Sequence, residues 1–162
     1  PGFKWLAKLL GFNGSRTKGL DYLNKASNSK NLTQGDAIYI LVYIFSDKES
    51  KYATALKYSQ ILRKKYPNNP VFLFDEAEML FRTKKLAESR KLFDEYFTYC
   101  ASHACKKEYR FLANYFMTWS YMDEKDYAGA KKYVDKANEL NTKRFKDRSA
   151  DLKKWTGILK DK

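Results

Sequence analysis

The chain repeats itself. The segment beginning at Tyr52 recurs after a shift of 34 residues, which lays Tyr52 on Leu86, Ala55 on Ser89, Ser59 on Phe93 and Leu62 on Tyr96. A further shift of 41 reaches Tyr127, Ala130, Val134 and Ala137, and a backward shift of 36 reaches Arg16, Gly19, Leu23 and Ala26. One slot thus holds Gly19, Ala55, Ser89 and Ala130, all small, as close contact between helices requires. A period of this length marks stacked supersecondary units, none of which can bury its apolar face without a neighbour. Four copies fit the 162 residues as one domain (1–162), at about 1–34, 35–69, 70–103 and 108–142.

Each copy reads as two helices. Leu6, Ala7 and Leu10, then Val42, Tyr43 and Phe45, then Ala77 and Leu80, then Met117, Thr118 and Tyr121 place apolar or small side chains at helical spacing. Asn69-Pro70 is an N-cap followed by proline at the first helical position. Ser46–Glu49 and Asp123–Asp126 are polar turns inside a pair, and Thr33 to Asp36 has the spacing of a capping box without its glutamate. Leu152, Trp155, Ile158 and Leu159 lie on one side of a terminal helix at about 145–160, suited to closing the last apolar face of a stack. With 3 Pro and 7 Gly the chain has too few turn formers for a turn-dense all-β fold, so an all-α architecture is expected.

This pattern resembles the tetratricopeptide repeat family over nearly the whole chain. The residues that carry the likeness are Tyr52-x-x-Ala55 with Tyr66-Pro67-Asn68-Asn69, Ala77 with Leu80, and Asp126-Tyr127-x-x-Ala130 with Ala137. Tyr43 stands where the family usually has a small residue, Glu76 where it has an apolar one, and the closing proline appears once. The run Gly11 to Ala26 also resembles tetratricopeptide proteins of the inclusion-body-clearance group. The resemblance implies a right-handed α–α superhelix, a solenoid of antiparallel helix pairs whose inner wall comes mainly from the first helix of each pair. That wall would carry Lys4, Trp5 and Lys8, then Ile40, Leu41, Ile44 and Asp47, then Phe74, Asp75, Glu78 and Phe81, and finally Tyr115, Phe116, Trp119 and Met122 beside Asp123.

An aromatic and aliphatic wall dotted with acids suits a hydrophobic, Lys- or Arg-bearing protein segment, which makes a non-catalytic adaptor the leading expectation. Tyr115 and Trp119 are its strongest anchor candidates. Capture of a chaperone's C-terminal carboxylate is disfavoured. Lys4 and Lys8 suit it, but Leu41, Val71 and Asp75 stand at the other matching places, and Asp75 reverses the charge expected there.

The charge balance offers a rival. Lys+Arg total 32 against 19 Asp+Glu, a net +13. Lys57, Lys64, Lys65, Lys84, Lys85, Arg90, Lys91, Lys131, Lys132 and Lys136 fall on second helices or the turns before them, an outer wall that would attract nucleic acid or another polyanion through phosphate-type contacts. A third reading docks Phe3, Trp5, Leu6, Leu9 and Leu10 with Lys4 and Lys8 on a membrane surface. No run is apolar enough to span a membrane, and Lys4 and Lys8 interrupt any signal peptide. Self-association through unpaired end faces is a further expectation for a repeat array.

Two Cys and one His cannot build an ordinary four-ligand zinc site, and no phosphate-cradling glycine loop occurs, so no metal, cofactor or catalytic residue is expected. The step of 41 places about seven extra residues near Tyr99 to Tyr109, where both Cys100 and Cys105 lie. Five apart, the two point to different sides of an unbroken helix but can meet across a turn. The favoured reading joins them as a disulfide in an oxidising compartment such as a bacterial periplasm or cell envelope, with two free thiols in a reducing one, the cytoplasm, as the alternative.

Overall fold

The structure, a computed structural model, describes residues 15–162 and divides the chain at Leu62 into two compact units. The expected first inner helix, with Lys4, Trp5 and Lys8, lies outside the described residues, as does the apolar run from Phe3 to Leu10. The described part of the first unit holds α1 (Arg16–Ser27), α2 (Gln34–Tyr43) with a π-helical turn (Ile44–Lys48), and most of α3 (Tyr52–Lys65). The second unit holds α4 (Pro70–Arg82), α5 (Leu86–Ser102), α6 (Lys107–Asp123), α7 (Tyr127–Leu140), a short 3-10 turn (Lys143–Phe145) and α8 (Lys146–Lys160). Among the described residues there is no strand, and no helix is long and apolar enough to cross a membrane. The described fold is all-α, and within each unit consecutive helices pack as pairs.

In the first unit α1 packs on α2, and Ala37, Ile38, Leu41 and Val42 are buried. The Tyr58 hydroxyl of α3 donates to Asn24 Oδ1 of α1 at 2.9 Å, and its ring stacks on Phe45 at 5.8 Å. The polar turn expected at Ser46–Glu49 is instead largely helical. The π turn carries α2 on to Lys48, and the chain reverses at Ser50, whose φ is 52°. Glu49, nearly buried, is held by the Arg16 guanidinium and by Lys51 Nζ at 2.9 Å.

In the second unit Asn69 caps α4 by accepting from the Val71 amide at 2.9 Å, and Pro70 occupies the first turn, where its missing N–H costs nothing. Asp126 caps α7 by accepting from the Gly129 amide at 2.8 Å. The small slot is fully buried at Ala55, Ser89 and Ala130, and Ser89 donates to the Ala77 carbonyl at 2.7 Å; next to Ala130, a Cβ on Gly129 would sit 2.4 Å from the Tyr121 ring. Gly19, by contrast, is exposed on α1 and a Cβ there would meet nothing among the described residues.

Helix α6 packs against both α4 and α8, and α5 and α7 pair with α4 and α6 respectively. The core between them is aromatic. Phe74 lies 5.7 Å from Phe93, 5.8 Å from Tyr96 and 4.9 Å from Tyr109, all edge to face, the arrangement ring quadrupoles favour. The extra residues near Tyr99 lengthen α5 to 17 residues and add the link His103–Lys106, across which Cys100 and Cys105 are joined as a disulfide with Cα atoms 5.5 Å apart. Helix α5 ends in an extended residue, His103, so the chain turns back and the two thiols face each other.

Candidate functional site

The face that α4, α6 and α8 offer in the second unit is a strip of aromatic rings with a charged border. Helix α6 supplies Tyr115 and Trp119 one turn apart, followed by Met122 and Asp123. A shift of 36 from α6 lays Tyr115 on Asp151, Phe116 on Leu152, Trp119 on Trp155 and Met122 on Ile158. Helix α8 therefore continues the inner register of the repeat rather than merely covering its end. Its Trp155 ring lies 6.1 Å from Trp119 and 5.3 Å from Tyr115, and Phe81 of α4 meets Trp119 at 5.1 Å.

The border is a set of local pairs. Glu78 Oε1 accepts from Arg82 at 3.1 and 3.3 Å, and the Arg82 guanidinium lies over the Phe116 ring. Asp123 takes the Trp119 indole N–H at 3.1 Å and Lys84 Nζ at 2.7 Å. Asp151 takes the Tyr115 hydroxyl at 2.6 Å, with Arg148 over the same ring. Burial, then the Asp151 bond and its charge, push the Tyr115 phenol well above its usual range. Asp75 departs from this pattern. Its Oδ2 is enclosed without a hydrogen-bond partner, and desolvation, then the neighbouring Glu78 charge, raise its pKa to about 7.

Five residues expected on the wall, Leu41, Phe74, Phe81, Tyr115 and Phe116, are instead core side chains. Each lies on the edge of its helix stripe that turns toward a packed neighbour, so the ring or branched carbon is enclosed. Tyr115, expected as an anchor, is 2% exposed and its hydroxyl is satisfied by Asp151. Asp75, Glu78, Trp119 and Met122 are half-buried and Asp123 exposed, so they still meet solvent along the strip. Ile40 and Ile44 belong to the first unit, where Ile40 is exposed on α2 with Tyr39 and Tyr43, and Ile44 is half-buried in the π turn.

Sequence reasoning missed Trp155, Arg148, Asp151 and Arg82. Trp155 packs against the core on the closing face of the terminal helix, and the repeat shift of 36 also places it in the slot of Trp119. Among the outer cations, Arg90 is not a free surface charge. It is half-buried over the Tyr121 ring and bonds Glu124 at 2.8 Å and the Ser120 hydroxyl at 3.1 Å. Lys85 and Lys136 lie beside Glu88 and Glu139, at 3.5 and 2.7 Å. No group of three metal-ligating side chains occurs among the described residues.

Comparison with known proteins agrees with this geometry at the level of the family. No curated protein and no solved structure gives a significant match. A family model described as Iml2/Tetratricopeptide repeat protein 39 matches residues 1–150, and with nearly the whole sequence so covered the chain belongs to that tetratricopeptide-repeat family.

Proposed function

We propose that the chain is an adaptor that holds a segment of a partner protein along the strip formed by α4, α6 and α8. Tetratricopeptide-repeat domains are generally non-catalytic scaffolds for protein interaction, and the finer reading rests on one observation. Trp119 and Trp155, half-buried and in ring contact, form a continuous apolar surface bordered by Asp75, Glu78 and Asp123. Large aromatic rings already desolvated on one side and ringed by polar groups have the character of interface hot spots. Glu78 and Asp123 are paired with Arg82 and Lys84, so it is Asp75 that favours a segment with a basic residue among its apolar ones.

The test is a display selection of random dodecapeptides on the immobilised chain, with binding of the winners remeasured on Trp119→Ala and Asp123→Ala, both first shown to be folded by circular dichroism. Peptides seated on the strip lose roughly 2–4 kcal/mol of binding in Trp119→Ala. Winners indifferent to both substitutions would refute the adaptor strip. Polyanion capture by the outer helices has less support, because Lys84, Lys85, Arg90 and Lys136 already have acidic neighbours. That rival requires retention on a heparin column that collapses with salt, with log affinity falling by about 0.9 per neutralised phosphate against log salt.

A further inference from the structure

We infer that Asp75 is the receptor for a single basic side chain, an arginine or lysine, of the segment that occupies the strip. The inference deepens the adaptor reading and rests on it for its occupant.

The carboxylates along the strip differ in one respect. Glu78 is matched by Arg82, Asp123 by Lys84 and the Trp119 indole, and Asp151 by the Tyr115 hydroxyl. Asp75 is matched by no donor among the described residues. Its Oδ2 is shut away from solvent and accepts no hydrogen bond, while the residue as a whole keeps some exposure. A buried acceptor without a donor is costly, and natural structures nearly always satisfy one. No group among the described residues supplies the donor, and the residue keeps a partial exposure through which a donor from outside can approach.

The chemistry of the occupant follows from the surroundings. A metal ion would need further ligands, and no cluster of three ligating side chains is present among the described residues. A neutral donor would leave the charge uncompensated beside Glu78, which already disfavours it. A guanidinium or ammonium compensates the charge and supplies donors at once. Val71, one turn before Asp75 on the same face of α4, is half-buried and offers apolar surface for the methylene stem of such a side chain. The Arg82 guanidinium does not do this within the chain, because it is engaged by Glu78 and lies over Phe116.

The probe that tests this is n-butylguanidinium, the end of an arginine side chain without a peptide, with n-butanol as its uncharged control. Side-chain carboxyl resonances are followed by carbon NMR in the full chain and in Asp75→Asn. The expected result is a saturable displacement of the Asp75 resonance by n-butylguanidinium at millimolar to tens of millimolar concentration, as suits so small a ligand. Butanol should leave it in place, and the accompanying amide shifts on α4 should vanish in Asp75→Asn. An unmoved Asp75 resonance, or the same amide shifts in Asp75→Asn, overturns the inference. Asp75→Asn keeps the shape of the side chain and removes its buried charge, so its fold is expected to survive, and a thermal melt confirms that. The guanidinium experiment does not involve Trp119. Probe binding that persists while selected peptides ignore Trp119→Ala would therefore refute the adaptor strip alone, and the converse would refute the Asp75 site alone.

Discussion

The same repeat slot has opposite fates in the two units. Ile40 of α2 and Tyr115 of α6 occupy equivalent positions, yet Ile40 is 42% exposed and Tyr115 2%. Composition does not separate them, since both sit in helices rich in apolar residues. Their neighbours do. Tyr115 is met by Trp119 on its own helix and by Trp155 and Asp151 on α8, which repeats the register of α6 one copy later. Ile40 lies with Tyr39 and Tyr43 on a face of α2 that remains open to solvent. An apolar side chain at the inner slot is thus neither core nor binding surface by its identity. The next helix decides.

The sharpest way to break that comparison is to truncate both kinds of position. Phe116 is fully buried beside Phe74, Phe81 and Phe93, so Phe116→Ala should lower the unfolding free energy by about 3–5 kcal/mol. Ile40→Ala should stay within about 0.5 kcal/mol. Urea denaturation of the two variants measures both. Similar losses would mean that Ile40 is covered in solution and that the contrast between the units is not real.

Asp75 gives the next largest effect and a signature in pH. Its folded pKa of about 7 lies above the ordinary 3.8, so between those values the folded chain holds a proton that the unfolded chain has lost. Stability therefore falls as pH rises from about 4 to 7 and stays lowered above that. Asp75→Asn removes the effect. Three pKa units correspond to about 4 kcal/mol, and since the residue keeps some exposure a gain on the order of 2 kcal/mol is expected near pH 8, shrinking to nothing near pH 4. A gain independent of pH would show that the asparagine acts through packing and not through charge. The stabilised variant should also be the one that no longer holds n-butylguanidinium, as expected where a binding group is retained at a cost in stability.

Much of the architecture was legible because it rests on period and punctuation. The shifts of 34 and 41, the Asn69-Pro70 cap and the terminal helix each follow from short-range physics that a single sequence displays. The site was less legible for a physical reason. Helical periodicity shows that Phe74, Tyr115, Phe116 and Trp119 share an apolar side, but that side spans both the strip and the seam with the next helix, and spacing does not divide the two. Trp155 could have been found, since the shift of 36 that aligns it with Trp119 is visible in the sequence. The isolation of Asp75 could not, because a missing partner is a property of three dimensions.

A smaller effect tests whether the ring network of the second unit depends on its polar border. The Tyr115 hydroxyl donates to Asp151 at 2.6 Å, tying α6 to α8. Tyr115→Phe keeps the ring and leaves the Asp151 carboxylate its access to water, so a loss of about 1 kcal/mol is expected in the same urea titration. A loss near that of Phe116→Ala would mean that α8 is fastened to α6 mainly by this bond, and that the rings merely fill the space it creates.

The smallest effect concerns what the units share. Ser50, Lys84 and Lys125 have φ of 52°, 63° and 59°, and they are spaced by the same 34 and 41 residues that relate the copies. The turn inside each of these pairs is built on a left-handed residue, and none of the three is glycine. Such a conformation costs a side-chain-bearing residue about 1 kcal/mol, of which glycine would recover part after its own loss of chain entropy. Lys84 also pairs with Asp123, so Ser50 and Lys125 are the cleaner positions. Ser50→Gly and Lys125→Gly should each stabilise by about 0.5 kcal/mol, read as a rise in the thermal midpoint, while Lys125→Val should destabilise by about 1 kcal/mol, read as a fall. Equal gains at Ser50 and Lys125 would place the turn energetics in the local backbone, indifferent to the packing that separates Ile40 from Tyr115. A gain at Ser50 alone would mean that in the second unit the neighbouring helix holds the turn as firmly as it holds the rings.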